Sequence, residues 1–193
     1  MKAAAISING LSYSSFADCN PKFLLNLFSS TYRGVVENRD SFEPLKVWKL
    51  ILKNATFEQL LSRGVLFSNI PITNPTYGRP STDMFKVSLR EELELMLSTI
   101  NDYSDKYIVL FSINAYERDL KNKKNVCEEL SLVDNYLKAV FEAVNNYMFF
   151  SPYGFNGTSY EPYGIYISSI PRPSEEETIK LDQILDIVLS LKI

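Results

Sequence analysis

Serine and asparagine residues recur at the ends of four short apolar stretches, where their hydroxyl and amide groups could bind a small polar molecule. These residues are Ser7 and Asn9, Ser68 and Asn69, Ser112 and Asn114, and Ser168 and Ser169. Hydroxyls and amides both donate and accept hydrogen bonds, so such a set can surround a ligand without carrying charge. Arg79 and Arg172 follow the second and fourth stretches and would favour an anionic ligand. We therefore expect a binding cleft where these polar ends meet.

A purely structural role would explain the same residues. Serine and asparagine often end strands because their side chains hydrogen-bond nearby backbone groups. The chain also contains neither G-x-G-x-x-G nor G-x-x-x-x-G-K-[ST], the glycine-rich patterns of phosphate-binding loops. Both interpretations stay open from the residues alone.

The chain contains no histidine, which removes much of ordinary catalysis. Histidine is the commonest general base near neutral pH, and it completes the Ser-His and Cys-His nucleophile pairs. The two cysteines are too few for a zinc site without it. We therefore assign no catalytic residue, expect neither a metal nor an organic cofactor, and lean towards a protein that is not an enzyme.

Two segments, 71–82 and 151–163, are dense in tyrosine, proline, glycine and asparagine. Tyrosines held by proline-rich turns make good contact residues, since they offer a large amphipathic area at low entropy cost. The candidate contact residues are Tyr77, Arg79, Tyr153, Phe155, Tyr160 and Tyr163. Our leading hypothesis is an accessory subunit or inhibitor that binds another macromolecule, a protein, through these loops. The alternative is a small-ligand binder, or an enzyme without recognisable motifs, that uses the strand-end cleft.

The polar ends require a sheet to position them, and the hydrophobic pattern predicts one. Short runs rich in β-branched and aromatic residues predict strands over 3–8, 65–70, 107–113 and 165–170. Helices are predicted from amphipathic periodicity and capping residues, starting near Pro21, Ser41, Thr56, Ser88, Val126 and Ser174. The last two are expected to reach Tyr147 and Leu191. The predicted fold class is α/β, with mainly parallel strands and flanking helices.

An internal similarity suggests that this unit occurs twice. GVLFSNIP at 64–71 is similar to GIYISSIP at 164–171, and further matches follow the same order along the chain. We therefore predict tandem βαβα units over 1–101 and 102–193, related by a pseudo-twofold axis and packed as one compact domain. Extra helices near 41–63 would enlarge the first unit. Independent units with similar turns are the alternative, and one sheet or two is left open.

Charge and cysteine usage bear on partners and location. Twenty basic and 23 acidic side chains give a net charge of −3 without a long run of one sign. Nucleic acid is therefore not expected as the main partner, because phosphate binding needs a concentrated basic face. No apolar stretch has the roughly 20 residues of a membrane span. We expect reduced thiols at Cys19 and Cys127, a cytoplasmic location and a protein partner, with a homo-oligomer left open.

Overall fold

The computed structural model describes residues 1–71 and 87–193 and is built around one mixed sheet. Seven strands form this sheet in the order β3-β4-β1-β5-β8-β2-β9, and β6 and β7 form a separate small hairpin. The strands are β1 (Ala3–Ile8), β2 (Tyr32–Glu37), β3 (Val65–Ser68), β4 (Ile108–Ile113), β5 (Asn146–Phe150), β6 (Gly154–Phe155), β7 (Tyr160–Glu161), β8 (Tyr163–Ser168) and β9 (Thr178–Lys180). All four strands predicted from the sequence therefore belong to one sheet.

The sheet is mostly parallel, as predicted. β3, β4, β1 and β5 are parallel neighbours, and β9 is parallel to β2. β8 is the exception, because it pairs antiparallel with both β5 and β2. Parallel pairing needs a long crossover, usually a helix, whereas only the short β6–β7 hairpin separates β5 from β8. The expectation that 165–170 is a parallel strand was therefore wrong.

Helices cover both faces of the sheet. They are α1 (Tyr13–Cys19), α2 (Lys22–Ser30), α3 (Pro44–Ile51), α4 (Phe57–Ser62), α5 (Leu89–Tyr103), α6 (Ala115–Lys121), α7 (Val126–Glu142) and α8 (Ile184–Leu189). Alternate residues of β1 face opposite layers. Ile6 belongs to the apolar cluster that contains residues of α1, α2, α5, α6 and α7, and Ala5 belongs to the cluster that contains residues of α3, α4 and α8. Among residues 1–71 and 87–193, every helix falls short of the length or apolar character needed to span a lipid bilayer.

The structure does not show the predicted tandem duplication or its twofold axis. The strand within 64–71 is β3, which lies at the edge of the sheet and runs parallel to β4. The similar stretch 164–171 contains β8, which lies inside the sheet and runs antiparallel to its neighbours. The two similar octapeptides therefore occupy unequal places, and the division at residue 101 stays a prediction.

Several element boundaries differ from the prediction. The helix expected from Ser174 to Leu191 is instead β9, a 3₁₀ turn over Leu181–Gln183, α8 and a second 3₁₀ turn. Thr178–Lys180 becomes a strand because it pairs with β2, a long-range contact that local capping patterns cannot report. The helix expected to reach Tyr147 ends at Glu142, and the aromatic-rich residues after it form β5.

Cys19 and Cys127 form a disulfide, so the expectation of reduced thiols was wrong. The two residues are 108 positions apart in the chain, but their Cα atoms lie 5.1 Å apart. That distance is within the range a disulfide spans. The packing of α1 against α7 brings them together, and cysteine spacing alone does not show such packing.

Candidate functional site

Four of the predicted ligand-binding residues meet at the carboxyl ends of β1, β3 and β4. Asn9 Nδ2 donates to Asn114 Oδ1 at 2.8 Å, and Ser112 Oγ donates to the same oxygen at 2.8 Å. Asn114 Nδ2 donates to the Asn69 carbonyl at 2.8 Å. Since the three strands run in one direction, their polar ends share one edge of the sheet. The three asparagines and Ser112 thus form one hydrogen-bonded network.

Glu92 of α5 accepts hydrogen bonds from this network in the protein interior. Its side chain is fully buried, and Oε1 accepts hydrogen bonds from the backbone N–H groups of Asn114 and Ala115 at 2.8 and 2.9 Å. Oε2 accepts from Asn69 Nδ2 at 2.8 Å. Burial raises the pKa of Glu92 to about 7, although the N–H donors oppose this shift. Glu92 therefore fixes the start of α6 relative to the end of β3.

The network determines which end of the Asn9 amide is available. Asn114 Nδ2 donates to two carbonyls, those of Asn69 and Ser112, so Asn114 must present Oδ1 to Asn9. Asn9 therefore donates from Nδ2. Its own Oδ1 is buried and has no hydrogen-bond partner in the described part of the chain. Asn9 is only 2% exposed. A buried acceptor of this kind costs free energy unless a donor reaches it.

A cavity of about 230 Å³ lies beside this network, with Asn9 and Asn114 in its lining. Among the described residues, its lining consists of Asn9, Pro44, Pro71, Asn114, Glu117, Arg118 and Lys121. Pockets for drug-sized ligands typically enclose roughly 300 to 1,000 Å³, so this cavity suits a smaller molecule. The prolines supply apolar walls, and α6 supplies the three charged residues.

Glu117 holds the charges of α6 in a fixed arrangement. Its buried carboxylate accepts hydrogen bonds from Tyr153 Oη at 2.8 Å and Tyr160 Oη at 2.7 Å, and it pairs with Lys121 Nζ at 3.3 Å. Burial and the nearby Glu117 raise the pKa of Tyr153, which therefore stays a neutral donor. Burial alone would lower the pKa of Lys121, but Tyr160 and Glu117 hold it above its ordinary value. Lys121 is therefore a cation at the cavity wall.

Gly10 allows α6 to approach the end of β1 this closely. Its φ is +91°, and a Cβ built there would lie 3.1 Å from Glu117 Cβ. Side-chain-bearing residues rarely adopt this backbone conformation. Glycine at position 10 therefore lets Asn9 and Glu117 line the same cavity.

The other predicted ligand-binding residues lie elsewhere. Ser7 and Ser68 are buried within the strands, and the Ser7 hydroxyl has no partner among the described residues. Ser168 and Ser169 lie at the opposite edge of the sheet because β8 is antiparallel, and both hydroxyls donate to the Tyr147 carbonyl. Arg172 is at that same edge, where Nη1 donates to the Arg33 carbonyl at 2.6 Å. Among the described residues, the predicted cleft therefore unites the polar ends of β1, β3 and β4 but not that of β8.

The tyrosine-rich segment 151–163 packs largely inward. Tyr153 is fully buried, Phe155 is 7% exposed and Tyr160 is half-buried, whereas Tyr163 is 37% exposed. The Tyr160 ring meets those of Tyr153 and Phe155 at interplanar angles of 66° and 46°. The two tyrosines hold Glu117 instead of covering an outer surface. Tyr77 and Arg79 lie outside the described residues. The protein-binding hypothesis stays a prediction, and this loop offers it few exposed rings.

Sequence reasoning missed Glu92, Glu117 and Lys121. Glu92 had a detectable signature, because it stands three residues after Leu89 and four before Met96, on the apolar side of α5. An acidic residue at a buried helical position requires hydrogen-bond donors around it. Glu117 and Lys121 had no comparable signature, since α6 itself was not predicted.

Within 1–71 and 87–193, no three cysteine, aspartate or glutamate side chains come together in a way that could hold a metal ion. Comparison with known proteins finds no family model and no curated protein that matches the chain. The function must therefore be inferred from the site itself.

Proposed function

We propose that this protein binds a small molecule in the cavity beside Asn9, and that the molecule carries both a hydrogen-bond donor and an anionic group. The observation that supports this most directly is the buried Oδ1 of Asn9, which has no hydrogen-bond partner among residues 1–71 and 87–193. Because the surrounding network fixes the amide, a donor such as a hydroxyl or amine of the ligand would satisfy this oxygen. The proposal concerns binding, and assigns no reaction.

The cationic side chains in the cavity lining are the reason for proposing an anionic group on the ligand. Arg118 and Lys121 are the cations among the described lining residues, and each also pairs with an acidic residue of α6, Asp119 at 3.6 Å and Glu117 at 3.3 Å respectively. The two oxygens of Glu117 already accept hydrogen bonds from tyrosines. A ligand carboxylate beside Lys121 would accept a charge-assisted hydrogen bond from its ammonium group. Small hydroxy acids combine these two features in a molecule that suits the cavity.

Calorimetric titration with lactate and glycerate, and with propionate as the analogue that lacks the hydroxyl, tests the proposal. We expect the hydroxy acids to bind and propionate to bind more weakly, because it leaves Asn9 Oδ1 without a donor. Asn9→Ala should abolish the preference for the hydroxyl. Lys121→Met should weaken binding of every acid roughly tenfold, the value of one charge-assisted hydrogen bond.

Lys53→Met is the matched control, since Lys53 pairs with Asp186 on the surface of the opposite layer and should leave binding unchanged. Circular dichroism would establish that each variant is folded. The proposal fails if neither hydroxy acid binds, or if binding is indifferent to both Asn9→Ala and Lys121→Met.

A further inference from the structure

The disulfide joins the two chain segments that build the candidate site. Cys19 is the last residue of α1, which follows β1 and Asn9 after a short loop. Cys127 is the second residue of α7, which follows α6 and its charged residues. A single covalent bond thus ties together the segments after β1 and after β4.

This disulfide is open to attack from solution. Cys127 is exposed and Cys19 is half-buried. A surface hollow of about 360 Å³ lies against the bond and is lined by both cysteines, with Pro21, Lys22, Ser131 and Asp134 among its other walls. A thiol can therefore reach the sulfur atoms without prior unfolding, which is the condition for rapid thiol–disulfide exchange.

We propose that Cys19–Cys127 is a reversible thiol–disulfide exchange site whose partner is a dithiol reductant. Its reduction loosens α1 and α7, the helices that come next in the chain after Asn9 and after α6. A thiolate of the dithiol attacks Sγ of Cys127, forming a mixed disulfide and releasing Cys19 as a thiolate. The second thiolate of the reductant then attacks the reductant sulfur that is bonded to Cys127. This forms the disulfide of the oxidised reductant and releases Cys127 as a thiolate. Two electrons pass from the dithiol to the protein, and solvent protonates the freed thiolates according to pH.

Reduction should act locally because α7 keeps other contacts with α2 and shares an apolar cluster with α1. Asp134 of α7 accepts hydrogen bonds from the backbone N–H groups of Phe23 and Leu24 at the start of α2, at 3.0 and 2.8 Å. Phe16 of α1 and Leu130 of α7 are also buried in one apolar cluster. The fold therefore keeps its core when the bond opens, while the end of α1 and the first turn of α7 gain freedom.

Hydrogen-exchange mass spectrometry of the native full-length chain, with and without mild dithiothreitol, tests this inference. Alkylation and intact mass would report the redox state in the same samples. We expect dithiothreitol to add two alkylatable thiols without denaturant, and amide exchange to accelerate roughly tenfold within 13–30 and 115–130 only.

The double variant Cys19→Ala, Cys127→Ala is the matched control and should show the reduced exchange pattern whether or not dithiothreitol is present. Three results would overturn the inference: free thiols that persist after treatment with oxidised glutathione, a disulfide that is reduced only in denaturant, or faster exchange throughout the sheet. None of these readouts depends on the ligand of the cavity.

Discussion

At the scale of single residues, Glu117 shows how the site holds a buried charge. Two tyrosine hydroxyls and one ammonium group surround its carboxylate, and each contact lies within hydrogen-bonding or ion-pairing distance. The tyrosines differ in environment, because Tyr153 is fully buried whereas Tyr160 is half-buried. Loss of the Tyr153 hydroxyl leaves a carboxylate oxygen that water cannot easily reach. Loss of the Tyr160 hydroxyl leaves one that water can solvate.

We therefore expect Tyr153→Phe to lower the free energy of unfolding by about 2 kcal/mol, as for a hydrogen bond to a charged group. Tyr160→Phe should cost less than about 1 kcal/mol. Urea unfolding of both variants at pH 7 measures the difference. Equal losses, or a larger loss for Tyr160→Phe, would contradict the assignment of the buried contact.

At the scale of elements, the sequence correctly predicted features that depend on residues close together in the chain. The Thr56–Gln59 capping box and the Ser88 cap both appear in the structure, at the starts of α4 and α5. The four apolar strands were also found, because burial on both faces leaves continuous hydrophobic runs. The strands β2 and β9 were missed because pairing with distant segments stabilises them. The Asn9–Asn69–Asn114 network was partly predictable, since the polar ends of neighbouring parallel strands lie close together. Ser168 lies away from this network because its strand, β8, runs in the opposite direction.

The reversed strand β8 depends on a close approach at Gly164. A Cβ at this position would lie 1.9 Å from the Ser151 carbonyl oxygen, and Ser151 N donates to the Ile165 carbonyl at 2.9 Å in the same region. Gly164→Ala would therefore push β8 away from the end of β5. We expect a loss of more than about 3 kcal/mol in the free energy of unfolding.

Gly157→Ala is a suitable comparison, because the space around position 157 is open while its φ is +95°. It should cost only about 1 kcal/mol, for backbone conformation alone. Denaturant unfolding of the two variants distinguishes close packing from backbone preference. Similar losses would show that β8 can shift to accommodate a methyl group.

At the scale of the whole molecule, two carboxyls couple stability to pH. Burial raises the pKa of Glu92 to about 7, and burial together with the neighbouring Asp119 raises that of Glu129 to about 7. Each carboxyl thus binds a proton more tightly in the folded chain than in the unfolded chain, where its pKa is near 4.3. Their contribution to stability is therefore complete below about pH 4 and is lost as pH rises through about 7. The more exposed Glu129 contributes the smaller part, because solvent screens it.

The variant Glu92→Gln isolates the larger part, since glutamine resembles the protonated acid and does not titrate. Between pH 5 and pH 8 the wild-type chain should lose about 2 to 3 kcal/mol more stability than the variant, because only the wild type must ionise a fully buried group. Urea unfolding at both pH values measures this difference, and any constant cost of placing an amide beside Asn69 cancels in it. Exposed Glu91, one position earlier on α5, provides the control, and Glu91→Gln should leave the pH dependence unchanged. A parallel pH dependence in Glu92→Gln and the wild type would mean that the hydrogen bonds from Asn69, Asn114 and Ala115 offset the cost of burying the charge.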